Sequence, residues 1–221
     1  MIAWELLDTA LVPGTRVEMS LHRRGDTFSI RVGSRELMNN WLYGLDCGLA
    51  DAVCAAIADP TRARVLIGGL GMGFTLARAL SQLGPASEVV VAELVPAVVR
   101  WNRGVLGELA GHPLRDPRVR VAERDVADLI GATPQAWDAI LLDVDNGPEG
   151  LSSQDNDALY TQESLATTLA ALRPQGVLGI WSQSDDKSFA RRMQRAGFAT
   201  SEHRTKKRGG RARQTIFVGR T

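Results

Sequence analysis

Apolar and polar residues alternate through the early part of the chain. Val17, Met19 and Leu21 fall on one face of a candidate strand and Phe28, Ile30 and Val32 on one face of another, with Arg24-Gly25-Asp26 between them. A period of two on both sides of a glycine turn predicts a hairpin. Gly33-Ser34 then leads into Glu36-Leu37-Met38, so residues 1–45 are expected to form a small antiparallel β region. From Asp46 to Ala58 small and apolar residues recur at helical spacing, and Asp59-Pro60 supplies a stop. Beyond it, short β-rich runs at Arg64–Ile67, Glu88–Ala92, Arg118–Ala122, Trp137–Leu142 and Gly176–Trp181 alternate with helical segments. Such alternation predicts a parallel sheet covered by helices on both faces. The last two runs, Phe198–Arg204 and Gln214–Gly219, are joined by a short turn and must therefore pair antiparallel. The expected architecture is an α/β domain over residues 46–221, with a mostly parallel seven-stranded sheet ending in an antiparallel hairpin.

Composition changes this picture little. A chain of 221 residues has room for one full α/β domain and a small appendage. Its 44% hydrophobic and 23% charged residues lie near globular averages. No run approaches the ~18 apolar residues of a membrane span, and the start, MIAWELLDTA, lacks a basic region leading into an apolar one. A cytoplasmic protein without membrane association is the expectation. Cys47 and Cys54 lie on one face of the predicted helix, which disfavours a mutual disulfide and points to core packing. The net charge of +1 gives no general reason to expect a nucleic-acid partner. Cationic side chains do concentrate in HRTKKRGGRAR, residues 203–213, where a solvated hairpin tip is preferred over a landing site for an acidic substrate. The three histidines are dispersed, so no metal is expected.

The chemistry-bearing stretch is Val65-Leu66-Ile67-Gly68-Gly69-Leu70-Gly71-Met72-Gly73-Phe74, a buried-strand pattern running into alternate glycines and then a helix. Glycine serves there because a residue without Cβ accepts positive φ and lets a ligand approach the backbone. Glu93 ends the next strand, roughly 20 residues on, where Rossmann-like folds hold the two ribose hydroxyls. A carboxylate suits that task, since its two oxygens can accept one hydrogen bond from each hydroxyl. After the third strand, Asp125 with its neighbour Val126 is placed to meet an adenine amino group, although Asp125 would also serve as a helix N-cap. The three positions follow successive strands at their carboxyl ends, where open α/β sheets bind ligands. A parallel sheet closed by an antiparallel hairpin is the order of the Rossmann-like class I methyltransferase fold, by analogy of fold alone.

Together these residues resemble the spermidine synthase family over roughly residues 15 to 221. The family's GGGDGG-like loop corresponds to Gly69–Phe74, its acids after the second and third strands to Glu93 and Asp125, and its Asp-rich loop to Asp143-Val144-Asp145-Asn146-Gly147-Pro148. The resemblance implies an S-adenosylmethionine-type nucleoside, ordinary or decarboxylated, held by Gly69, Gly71, Met72, Gly73, Glu93, Asp125 and Val126. It implies that Asp143 takes a proton from an attacking amine, with Asp145 beside it and Asn146 on the acceptor. A small-molecule acceptor and a homodimer follow from the same likeness. Tyr43 and Trp181 are candidates to line the acceptor pocket, with core packing an equal alternative.

Departures from the family pattern shape the functional expectation. Met72 stands where the family has the acid that anchors the aminopropyl amine, and Asn146 replaces the second acid of the acceptor loop. Trp181 stands for a common Gln, and Asn39-Asn40-Trp41-Leu42-Tyr43 occupies the region of a Tyr-His-Glu element. A neutral Met72 would lift a like-charge penalty against the carboxylate of ordinary S-adenosylmethionine. Methyl transfer to a small acceptor is therefore the leading expectation. Aminopropyl transfer to a diamine and a non-catalytic nucleoside-binding module are the alternatives.

Overall fold

The computed structural model describes residues 2–144, 158–182, 186–206 and 213–221. The N-terminal part is a four-stranded antiparallel sheet in the order β1 (Glu5–Leu11), β2 (Glu18–Arg24), β3 (Thr27–Val32), β4 (Arg35–Asn39). The hairpin read from the alternating residues is β2–β3, paired Met19 to Val32 and Leu21 to Ile30. Strand β1 is additional to the expectation. Its pairing with β2 shifts register between Leu6 and Asp8, and the extra residue of such a bulge breaks the period-two pattern that would have marked it.

Helix α1 (Tyr43–Cys54) follows, ending before the expected Ala58. Cys54 is buried and Cys47 half-buried, and they are not joined by a disulfide. Burial pushes the Cys54 thiol up to about 11, which suits a packing role.

The second sheet contains β5 (Arg64–Gly68), β6 (Glu88–Ala92), β7 (Val119–Ala122), β8 (Trp137–Leu142), β9 (Leu172–Ser182), β10 (Ala199–Lys206) and β11 (Arg213–Arg220). Between them run α2 (Phe74–Leu80), α3 (Pro96–Arg103), α4 (Val126–Ala132), α5 (Gln162–Ala171) and α6 (Lys187–Arg195). Strand order is β10-β11-β9-β8-β5-β6-β7, parallel from β9 to β7 and antiparallel at β11. Strand β9 starts earlier than Gly176 because Leu172 already pairs with Trp137, before a register shift brings Val177 opposite Ala139.

Alternation along β5 divides the core. Val65 and Ile67 point to one face, with α1, α2 and α3, and Leu66 to the other, with α4, α5 and α6. The first face is also where the N-terminal sheet packs, through Met19, Leu21, Phe28 and Ile30. Gly179 on β9 admits α1 closely, since a Cβ there would collide with Val53. Trp101 and Trp137 are buried in the core. Trp4 instead lies under the guanidinium groups of Arg24 and Arg31, 4.7 and 4.9 Å from its ring centre. Among the described residues no helix is long and apolar enough to cross a membrane.

Candidate active site

The strand order reverses at β5: β6 and β7 extend to one side, and β8 then pairs on the other. Ligands of open α/β sheets settle at such a reversal, beyond the carboxyl ends of the strands. The glycine turn leaves β5 at this point. Gly69, Gly71 and Gly73 have φ of 88°, 51° and 83°, values that L side chains rarely adopt.

Each glycine is also approached by another segment. A Cβ on Gly69 would run into the carbonyl of Asp143 at the tip of β8, and one on Gly71 would meet Met38 Cε at 2.6 Å. Met38, at the end of β4, thus lies over the loop. A Cβ on Gly73 would come within 3.0 Å of Asn102 Oδ1. Asn102 belongs to α3, and its side-chain amide donates to the Gly71 carbonyl at 2.7 Å and the Val98 carbonyl at 2.9 Å.

Glu93 follows β6 and is 8% exposed. Its Oε2 accepts the Leu70 N–H at 3.0 Å and its Oε1 the Val95 N–H at 2.9 Å. The carboxylate is thereby tied to the glycine loop. Asp125 follows β7, is exposed, and caps α4 by accepting the Ala127 N–H at 2.8 Å. Its helix-capping role is therefore realised, and a bond to adenine would use its second oxygen. Val126 is buried against Gly68, where a Cβ would lie 2.9 Å from Val126 Cγ2.

Asp143 follows β8. Its backbone N–H donates to the Gly68 carbonyl at 2.9 Å, and its Oδ2 accepts the Thr75 hydroxyl at 2.6 Å. Asp143 as a whole is half-buried. Burial raises its carboxyl above the usual carboxylate range, and the Thr75 hydrogen bond acts in the opposite direction.

The structure thus gathers the glycine loop, Glu93 and Asp143 at one rim. Met72 lies within the loop, but its side chain is 1% exposed and packed in the core that contains Val65 and Leu76. Trp181, near the end of β9, is half-buried, and its enclosed Nε1 has no hydrogen-bond partner among the described residues. Asp145 and Asn146 lie outside the described residues, as does the side chain of Tyr43 at the start of α1. Thr75, Met38 and Asn102 were not singled out by the sequence. Thr75 could have been, since it follows the last loop glycine by two positions. Met38 and Asn102 reach the loop only through tertiary packing.

Comparisons with known proteins bear on the family and the fold. The family model for the spermine/spermidine synthase domain matches residues 52–197. A polyamine aminopropyltransferase of Synechococcus sp. (strain JA-2-3B'a(2-13)) is 32% identical over 117 residues, 53% of this chain and 36% of that protein. Polyamine aminopropyltransferase 1 of Streptomyces coelicolor is 30% identical over 155 residues, 66% of this chain and 28% of that protein. The chain therefore spans only about a third of the length of these curated relatives. A spermidine synthase in complex with the transition-state analogue AdoDATO shares the fold at a TM-score of 0.75 and 16% identity, over 97% of this chain and 72% of that one. The probable spermidine synthase of Corynebacterium glutamicum does so at 0.70 and 19%, over 98% and 79%.

Proposed function

Because the chain belongs to the spermine/spermidine synthase family, we propose that it is a transferase that moves an aminopropyl group from decarboxylated S-adenosylmethionine to a small amine. The observation that carries this reading is the carboxyl of Asp143, held by the Thr75 hydroxyl at the strand reversal, on the rim that also bears the glycine turn and the loop-bound carboxylate of Glu93. The curated relatives named above are polyamine aminopropyltransferases, and this displaces the methyl transfer expected from Met72. The physical reason lies in the packing. Met72 is a core residue, so its neutrality exerts no like-charge control over a donor tail in the crevice.

The residues fit such a donor: the positive φ of Gly69, Gly71 and Gly73 turns the loop across the strand tips, and the Glu93 carboxylate is fixed to that loop through the Leu70 N–H. The bound donor would supply a carbon activated by its sulfonium. Gly69, Gly71 and Gly73 let it approach the backbone, Glu93 holds the ribose, and Asp125 with Val126 bounds the adenine. Asp143 takes the proton that makes an alkylammonium nucleophilic. The freed nitrogen pair then forms the N–C bond as the C–S bond breaks, the bonding pair stays on sulfur, and the proton leaves Asp143 for solvent. Asp145 and Asn146 would help orient the acceptor, with Tyr43 and Trp181 along its pocket.

The test is chromatography of reactions with putrescine and either decarboxylated or ordinary S-adenosylmethionine. Spermidine should form with the decarboxylated donor alone, and Asp143→Asn should lower turnover by about two orders of magnitude or more with donor affinity nearly unchanged. Binding of the nucleoside without turnover of any amine would leave a binding module, and failure to bind either nucleoside would remove the assignment altogether.

A further inference from the structure

The first turn of α2 does more than close the glycine loop. Thr75 is 4% exposed, and its hydroxyl donates to Asp143 Oδ2 at 2.6 Å, joining the helix after β5 to the tip of β8. The other surroundings of Asp143 are less polar in character. The tip of β5 meets it through the backbone of Gly68 and Gly69, and Val144 follows it in sequence. Among the described residues no charged group acts on its carboxyl.

We propose that Thr75 is a positioning residue for the transfer: its hydroxyl fixes Asp143 Oδ2 and so presents Oδ1 as the oxygen that receives the acceptor's proton. This rests on the reading of Asp143 as the proton acceptor. A carboxylate attached by one rotatable Cα–Cβ bond and one Cβ–Cγ bond would otherwise sample several orientations, and a proton acceptor is effective only within hydrogen-bond reach of its proton. Thr75 is two residues beyond Gly73, so the turn that would receive the nucleoside also sets the base. The hydroxyl bond favours the ionised carboxylate against the opposing effect of burial. Removing it must therefore raise the pH at which Asp143 becomes competent.

Thr75→Val keeps the side-chain shape and removes the hydroxyl, and Thr75→Ser restores the hydroxyl without the methyl. For Thr75→Val we expect kcat to fall about tenfold, KM for the nucleoside to stay unchanged, and the acid limb of the pH–rate profile to move to higher pH. Thr75→Ser should recover both kcat and the limb. An unmoved limb in Thr75→Val, or a Ser variant as impaired as the Val variant, overturns the proposal. If the wild-type chain turns over no amine, the aminopropyl reading falls separately. The Thr75 bond is then judged by carbon NMR titration of the Asp143 carboxyl: a higher titration midpoint in Thr75→Val than in wild type supports the coupling, and identical midpoints overturn it. Circular dichroism of both variants distinguishes these outcomes from a loss of fold.

Discussion

Two carboxylates in this protein respond to their surroundings in opposite directions. Asp143 is raised by burial, whereas Asp116 is lowered, chiefly by its hydrogen bonds from the Arg118 guanidinium. At a pH below the ordinary carboxylate range Asp143 is protonated whether the chain is folded or not. As pH rises the unfolded chain ionises first, so the contribution of Asp143 to stability declines until the folded carboxyl also ionises. Asp116 behaves in the reverse manner, adding stability above the ordinary range and losing it as pH falls through its lowered value. Asp143→Asn should therefore stabilise the fold at neutral pH by on the order of 1 kcal/mol in urea titrations, with the gain vanishing in acid. An unchanged or lower midpoint at neutral pH would show that burial of this carboxyl costs the fold nothing. The same residue illustrates what was legible in advance. Asp143 and Glu93 could be placed because each directly follows a strand whose apolar run is plain in the sequence. The buried environment of Asp143 and its Thr75 partner arise from segments 68 positions apart, and no local pattern encodes that approach.

Among the elements, the end of α2 depends on a side chain from a distant strand. Arg118, just before β7, donates to the carbonyls of Leu80, Leu83 and Gly84 at 3.1, 2.7 and 3.2 Å and is held by Asp116 at 2.7 Å. Carbonyls at a helix terminus have no intrahelical donor, and one planar guanidinium serves that of Leu80 together with those of Leu83 and Gly84 in the turn that follows. Arg118→Met should lower stability by about 2 kcal/mol, read by chemical unfolding. Arg118→Lys should recover little, because a single ammonium cannot reproduce the fork. Elements defined by their own periodicity were readable: β6 and β8 have the bounds that their apolar runs predict. Those interrupted by a bulge were not. Leu7 slips the register of β1, and Arg173-Pro174-Gln175-Gly176 hides the start of β9 behind residues without strand character.

For the whole molecule, the decisive feature is that the small sheet and the large one share a hydrophobic core. Met19, Leu21, Phe28 and Ile30 belong to the same cluster as Val65, Ile67 and Val177. A boundary near residue 45 was expected from the change of periodicity, and the shared core predicts that the two parts unfold together. Tryptophan fluorescence and far-ultraviolet circular dichroism should give coincident transitions, and separated midpoints would restore two independent units. The alternation of elements announced the parallel sheet, whereas the reversal of strand order at β5 is a property of the assembled sheet that no segment of the sequence displays.

Strand β11 lies between β9 and β10, although both precede it along the chain. During synthesis on the ribosome β10 therefore emerges before the neighbour that joins it to the sheet, and the flank of β9 that β11 will cover stays open meanwhile. Phe217, buried in the finished protein, is among the late residues that close this gap. The nascent chain thus passes through a stage with an uncovered β edge, the kind of surface that chaperones shield from neighbouring polypeptides.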